Sequence, residues 1–448
     1  MFKKILIANR GEIAVRIIRA CREMGIETVA VVSEADRDSL HAYMADKVVC
    51  IGGPASVDSY LNIRNIMSAA VINEVDAIHP GFGFLSENAE FVEICQRCSI
   101  KFIGPDAESI RLLGDKATAK QTMKENKVPT IPGSDGEVSK VEQARDLCAE
   151  MGYPVLIKAS AGGGGRGIRL VNGPEELDAA FAAASKEALD YFGNGGVYIE
   201  KYLTGTRHIE FQILADEHGN VVHLGERDCS MQRRKQKMIE ETPSAVLTPA
   251  LRDQMGAAAV RAAKAVGYKN TGTVEFLVDK DLHFYFMEMN TRIQVEHPVT
   301  EMVTGIDLIK QQIRVAAGEP LPFSQSDVVL RGHAIECRIN AENPAKDFRP
   351  SGGTIQQLCV PGGNGVRFDS HLYQGYKLPM YYDSMIGKLI VWAADRNEAI
   401  AKMKSALMEL IIDGVDTNIY YQYDLLRSQE FKSGNYDTGT IERLQQVK

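Results

Sequence analysis

The stretch "FYFMEMNTRIQVEHPVTE", residues 284–301, sets charged and amide side chains into an apolar run. If the chain stays extended, the two-residue repeat of a strand puts Glu288, Asn290, Arg292, Gln294 and Glu296 on one face. A polar row that begins among Phe284, Phe286 and Met287 is costly to bury unless a ligand or ion satisfies it. A second apolar run, "TGTVEFLVD", holds another carboxylate, Glu275, between Val274 and Phe276. Glu275, Glu288 and Asn290 are hard oxygen donors of the kind that suits Mg2+ bridging to substrate phosphates. A solvated sheet face is the plainer alternative. His297, beside Glu296, has no second histidine at usable spacing, which argues against zinc.

Two basic segments complement these carboxylates. "RDCSMQRRKQKMIEE" gathers Arg227, Arg233, Arg234, Lys235 and Lys237. With 51 basic and 59 acidic residues the chain carries a net charge of −8, so a small anionic substrate suits the cluster better than nucleic acid. "HAIECRIN" places Glu336, Arg338 and Asn340 on one strand face, opposite Ile335, Cys337 and Ile339. Arg338 could stabilise an oxyanion there or form a structural salt bridge, and the residues alone leave both open.

"ASAGGGGRGIRL", residues 159–170, matches the G-x-G-x-x-G spacing at Gly162, Gly164 and Gly167. A dinucleotide-binding turn would need a helix directly after the glycines, whereas "IRLV" is a β-type run. No G-K-[ST] closes the run, so a P-loop is excluded as well. What remains is a hairpin whose glycine loop, through residues such as Gly163, Gly164 and Gly165, could lay backbone N–H groups over phosphates. Lys158 at the end of the incoming strand adds a positive charge.

These groups need elements to hold them. The first hundred residues alternate strand and helix: "KKILIAN", the helix "GEIAVRIIRACREMG" with Ile13, Ile17 and Cys21 on one side and Gly25 at its end, then "IETVAVVS", "AVINEVDAIHPG" and "IKFIGP". That order predicts a parallel α/β sheet of four strands. "GDKATAKQTMKENKVPTIPGSDG" reads as a helical connection, followed by a smaller unit made of "YPVLIKAS", the glycine hairpin, the helix "PEELDAAFAAASKEALDYF" and the strand "GVYIEKYL". Strand-rich α+β sequence follows, with a late helix, "NEAIAKMKSALMELIIDG", whose apolar face is Ile400, Met403, Leu407 and Leu410. The length of 448 residues implies two or three domains. The one C-x-x-C pair, Cys95 and Cys98, has no second pair and reads as buried helix thiols. No run approaches a membrane span, Arg10 interrupts any signal-peptide core, and a cytoplasmic protein is expected.

Almost end to end, these segments resemble the ATP-grasp ligases and, within them, the biotin carboxylases. "IANRGEIA", "AIHPGFGFLSEN", "FIGP", "GDK", "IKASAGGGGRGIR", "ERDCSMQRR", "EMNTRIQVEHPVTE", "RGHAIECRIN" and "YYDSMIGKL" all look like motifs of that family, and "EMNTRIQVEHPVTE" with "ERDCSMQRR" is specific to biotin-dependent carboxylases. The resemblance implies an ATP-grasp fold, α/β and α+β: an N-terminal parallel α/β domain over 1–114, a helical linker over 115–130, a small mobile lid over 131–203 and a C-terminal α+β domain over 204–448. It further implies that Lys116, Lys158, the glycine loop, His208, Glu275 and Glu288 bind ATP, with Glu200, Lys201 and Leu203 at the adenine. Glu275, Glu288 and Asn290 would hold Mg2+ or Mn2+. Bicarbonate would lie against Lys237, Arg292, Gln294, Val295 and Glu296. Biotin would lie against Phe82 and Arg338, and Glu296, Arg338, Arg292 and Lys237 would be catalytic. Phe82 stands where the family has Tyr, and Lys235 where it often has His.

By the same resemblance, bicarbonate deprotonated at Glu296 attacks the γ-phosphate to give carboxyphosphate, and Arg338 stabilises the biotin enolate. Expected partners are a biotin carboxyl carrier protein, carboxyltransferase subunits and a second copy of the chain, with no nucleic acid and no membrane. "AKMKS", residues 401–405, echoes a biotinylation turn but lies inside the late helix, so the biotin is expected on another chain. The free-standing length resembles the bacterial acetyl-CoA carboxylase subunit; subunits of two-subunit pyruvate or acyl-CoA carboxylases are similar. Another ATP-grasp ligase, forming an acyl phosphate for attack by an amine, and a silent nucleotide-binding regulator are the competing readings. A free carboxyl near pKa 4.3, lowered further by Arg292 and Lys237, makes Glu296 a weak base, so proton removal has to be coupled to phosphoryl attack.

Overall fold

The computed structural model describes residues 1–159, 168–192 and 195–446. Its first sheet takes its strands from "KKILIAN" and the runs that alternate with helices. β1 (Lys4–Ile7), β2 (Glu27–Val32), β3 (Lys47–Cys50), β4 (Ala77–His79) and β5 (Lys101–Phe102) are all parallel, in the order β3-β2-β1-β4-β5. Helices α1 (Gly11–Glu23), α2 (Leu40–Met44), α3 (Ile63–Ile72), α4 (Ala89–Arg97) and α5 (Ala107–Gly114) connect or flank the strands. Ile5, Leu6 and Ile7 of the central strand are wholly buried, as a strand covered on both faces requires. The sheet has five strands rather than four. The additional one, β3, lies at the edge with Val48 exposed, so it lacks the apolar run of a covered strand.

Strand order reverses between β1 and β4, which is where open α/β sheets form a crevice. The loops after these two strands are tied together: the Asn9 amide donates to the Pro80 carbonyl at 2.6 Å and to that of Phe82 at 2.7 Å. Gly81, at φ +61°, allows this approach, since a Cβ there would stand 2.9 Å from the Asn9 amide nitrogen. Phe82 is thus held at the crevice.

After α6 (Lys116–Glu125) and α7 (Val141–Met151), strands β6 (Val155–Ala159), β7 (Ile168–Val171) and β8 (Val197–Lys201) form an antiparallel sheet, β7-β6-β8, covered by α8 (Pro174–Phe192). β6 and β7 are hairpin partners, so the glycine run does join two strands. Gly162, Gly163, Gly164, Gly165 and Gly167 lie outside the described residues. This sheet has its own small core, including Val155, Ile157, Val171, Leu177 and Ile199.

The largest sheet contains β9 (Arg207–Ala215), β10 (Val221–Arg233), β11 (Gln236–Thr242), β12 (Asn270–Val278), β13 (Phe284–Asn290) and β14 (His333–Asn340). Short ribbons β15 (Glu342–Asn343) with β16 (Arg349–Pro350), and β17 (Gln357–Cys359) with β20 (Ile411–Asp413), lie outside it. β18 (Val366–Ser370) and β19 (Met385–Ala393) complete the antiparallel order β13-β12-β9-β10-β11-β14-β19-β18. Helices α9 (Pro249–Ala265), α10 (His297–Thr304), α11 (Leu308–Ala316) and α12 (Arg396–Glu409) pack around this sheet. Met403 is wholly buried within α12, so "AKMKS" is mid-helix. Of the C-x-x-C pair, Cys95 is buried and Cys98 is exposed, so only one of the two is a core thiol. Among the described residues no helix is long and apolar enough to cross a membrane.

Candidate active site

Register on the large sheet aligns charge. Glu288 on β13 lies opposite Glu275 on β12, which lies opposite Glu210 on β9, itself opposite Arg227 on β10. Directly opposed residues of antiparallel strands share a face, and like charges so placed repel. Cations gather the row. Lys237 of β11 donates to Glu210 at 2.6 Å, Glu275 at 3.1 Å and Glu296 at 2.6 Å, which matches the three donors of an ammonium. His208 Nε2 lies 2.8 Å from Glu275. Arg227, wholly buried, reaches Glu210, Gln212, Thr300, Thr273 and Gln294 at 2.5 to 3.2 Å.

The extended reading of residues 288–296 holds only as far as Asn290. β13 ends there, residues 291–296 form a turn, and Glu296 is the N-cap of α10. Glu288 and Asn290 therefore share a strand face, whereas Arg292, Gln294 and Glu296 are brought in by a turn that crosses the end of the row. Pro298 at the helix start favours this bend. Gln294 donates to Glu275 at 2.7 Å, and Asn290 donates to the same carboxylate at 2.8 Å. Arg292 turns outward to Glu87 at 3.0 Å and to Asn290 at 3.1 Å. Glu87 also accepts from the Thr291 backbone at 3.0 Å, which ties the segment after Phe82 to this turn. Phe82 itself packs against the apolar cluster containing Ile13 and Ile293.

Arg338, on β14, donates to Glu240 of β11 at 2.6 Å and to the second oxygen of Glu296 at 3.0 Å. Burial alone would raise the Glu296 carboxyl, but Lys237, Arg338 and Arg227 hold it well below the usual carboxylate range. Arg227, rather than Arg292, supplies part of this field. Glu275 is likewise lowered, against burial, by Lys237 and His208. Burial alone would lower Lys237, but the acidic groups around it outweigh that and raise it well above its ordinary value. Glu240 has the opposite fate: burial pushes it up to about 7 despite Arg338.

The remaining expected positions fall in two places. Lys116, at the start of α6, reaches Glu288 at 3.4 Å and so joins the row. Lys158 is on the three-stranded sheet and pairs with Glu200, which also accepts from Lys120 at 3.0 Å. Lys201 donates to the Tyr153 carbonyl at 2.9 Å, and Leu203 follows β8. The carbonyl of Val295 accepts from Lys388 at 2.7 Å.

Of the basic cluster, only Lys237 and the buried Arg227 face the carboxylates. Arg233 and Arg234 pair with Asp347, and Lys235 is exposed in the β10–β11 turn at φ +65°. The cluster is thus no single anion-binding surface. Sequence reasoning missed Glu210, Arg227 as an inner hub, Glu240 and Glu87. Glu210 carried a usable signal: "RHIEFQILA" alternates His208, Glu210 and Gln212 with Ile209, Phe211 and Ile213, the same pattern that singled out Glu275. Glu87 had none, because its partner is 205 residues away.

Hard carboxylate oxygens set against one another at Glu275 and Glu288, with the Asn290 amide adjacent, fit a divalent hard cation better than zinc or a soft metal.

Comparison with known proteins gives the family. Residues 115–324, which include the carboxylate row and its turn, match the ATP-binding domain of the carbamoyl-phosphate synthase L chain, and this defines the class as ATP-grasp enzymes. Residues 1–110 match the N-terminal domain of biotin carboxylase and residues 336–443 its C-terminal domain. A biotin carboxylase from Nostoc sp. is 59% identical over 99% of both chains. One of the subunits of pyruvate carboxylase from Methanothermobacter thermautotrophicus is 55% identical over 99% of this chain and 90% of its own. The solved biotin carboxylase domain dimer of Hydrogenobacter thermophilus 2-oxoglutarate carboxylase, in complex with MgADP, ADP and bicarbonate, superposes with a TM-score of 0.91 at 51% identity, covering 100% of this chain and 98% of that one. The chain belongs to the biotin carboxylase family.

Proposed function

We propose that this protein carboxylates biotin held on a separate carrier protein, using ATP and bicarbonate. The observation that carries the reading is the seat of Glu296: one oxygen 2.6 Å from Lys237, the other 3.0 Å from Arg338, at the end of a row of carboxylates suited to Mg2+. Glu275, Glu288 and Asn290 would hold Mg2+, which when bound neutralises phosphate charge. Lys116, Lys158, His208 and the 163–165 loop are assigned to the ATP phosphates, and Glu200, Lys201 and Leu203 to the adenine. Bicarbonate is assigned to Lys237, Arg292, Gln294 and Val295.

The geometry suggests how a depressed carboxyl acts as a base. Lys237 and Arg338 each donate to Glu296. Bicarbonate and phosphate compete for those donors, so the proton affinity of Glu296 rises as the substrates arrive. Glu296 takes the bicarbonate proton while the bicarbonate oxygen attacks the γ-phosphorus and ADP leaves. The carboxyphosphate formed releases carbon dioxide, the phosphate takes the ureido proton of biotin, and the ureido nitrogen attacks the carbon dioxide. Arg338, freed from Glu296, faces the developing enolate oxygen, with Phe82 beside the biotin.

We assign acetyl-CoA as the final acceptor, through carboxyltransferase subunits. Similarity to the pyruvate carboxylase relative supports a second reading with a different acceptor, separable by offering carboxylated carrier to each transferase. We further assign a homodimer, in line with the dimer of the 2-oxoglutarate carboxylase domain. A cytoplasmic location, supported by eight free cysteines, completes the assignment. Neither nucleic acid nor membrane is a partner in this assignment. The domain division at 114, 130 and 203, with 131–203 as a lid, belongs to the same proposal and is supported by the separate core of the three-stranded sheet.

The test is phosphate release from Mg-ATP with and without bicarbonate and free biotin. Turnover should require bicarbonate and rise with biotin. ATP cleavage indifferent to biotin would instead favour another ATP-grasp ligase.

A further inference from the structure

Lys388 of β19 is wholly buried, yet none of the steps above uses it. Its ammonium donates to the Val295 carbonyl at 2.7 Å and lies 3.1 Å from Glu12, in the first turn of α1. The lysine thus bridges the turn before α10 and the first turn of α1. Register adds a second observation. Lys388 and Arg338 are directly opposed on β19 and β14 and share a face. Arg338 holds the Glu296 side chain at 3.0 Å, and Lys388 holds the peptide plane that leads into Glu296.

We propose that Lys388 is a positioning residue that sets the Val295–Glu296 peptide, and through it the bicarbonate site, from the sheet face that also carries Arg338. The inference rests on the assignment of that turn to bicarbonate. A buried ion pair alone gives no reason for a lysine here, since apolar residues of similar volume commonly serve as well. A charged donor to the partly buried Val295 carbonyl, inside the turn that carries Glu296, does.

The experiment measures phosphate release with bicarbonate and ATP varied separately, together with thermal unfolding, for the wild type, Glu12→Gln and the double variant Glu12→Gln/Lys388→Met. Neutralising Glu12 with Lys388 removes the closest ion pair together, while Glu336 and Asp369 lose a neighbouring cation, so the double variant should stay folded but unfold somewhat below the wild type. Its KM for bicarbonate should rise about tenfold with the KM for ATP unchanged, since a charge-assisted hydrogen bond has been lost. Glu12→Gln alone should keep the wild-type bicarbonate KM. A folded double variant with wild-type bicarbonate kinetics would overturn the proposal, as would an equal shift in Glu12→Gln. If the double variant fails to fold, Glu12→Met/Lys388→Met replaces it, and failure of both would assign Lys388 to stability alone. A wild type that needs no bicarbonate would sink the functional reading itself.

Discussion

Glu296 is contacted by cations at both oxygens, so removing its charge and removing its partners should have different consequences. Glu296→Gln keeps the shape of the side chain and should bind ATP nearly as the wild type does, while turnover falls roughly 10²–10⁴-fold, the usual worth of a positioned base. Isothermal titration beside a phosphate-release assay checks this, and equal loss of binding and turnover would contradict the assigned role. Lys237→Met should act on the fold as well as on the rate. It leaves Glu210, Glu275 and Glu296 without their shared ammonium. A loss on the order of 3–5 kcal/mol is expected by chemical denaturation, as for other broken buried ion pairs.

At the scale of one element, β11 carries adjacent carboxyls to opposite faces of the sheet. Glu240 accepts from Arg338 but lies opposite Glu336 and near Glu296, and burial pushes it up to about 7. Glu241 meets His333 at 2.8 Å and Arg396 at 2.8 and 3.0 Å, and these bring it down to about 2 against burial. The two signs make opposite contributions to stability. For Glu241 the folded state favours the ionised form, so its contribution is present above pH 4.5 and is lost as pH falls through about 2. Glu241→Gln should cost on the order of 3 kcal/mol at neutral pH, and the cost should shrink in acid. For Glu240 the folded state favours the neutral form, so stability is fully present below about pH 4.5 and lost as pH rises through about 7. Glu240→Gln should therefore lack that decline. Denaturation midpoints of the two variants from pH 8 down to about 2 separate the two signs.

Across the whole molecule, the first sheet and the large sheet are joined by buried charge. Arg16 of α1 reaches Glu301 at 2.9 Å and Asp307 at 2.6 Å, and Glu12 lies beside Lys388. The three-stranded sheet instead has a small core of its own. Residues 1–110 and 204–446 should consequently open together, and amides of β6, β7 and β8 should exchange at lower free energy than those of β9, β10 and β12. Hydrogen exchange followed by mass spectrometry reads this directly. Mg-ATP should slow exchange in the three-stranded sheet if that unit closes over the nucleotide, whereas uniform slowing would argue against a lid.

Local chemistry made much of this protein legible from its residues. The glycine run could not be a dinucleotide turn because "IRLV" is a strand former, and Glu275 stood out because a carboxylate between Val274 and Phe276 needs a partner. Such inferences need only the two-residue repeat of a strand and the cost of burying charge. Tertiary structure alone decided which charges meet. It ended β13 at Asn290 and folded Glu296 back through a turn, turned Arg227 inward and Arg292 outward, and brought Glu87 to residues 291 and 292. Each of these contacts joins segments far apart in the chain or depends on strand register, and periodicity along one segment carries no information about either.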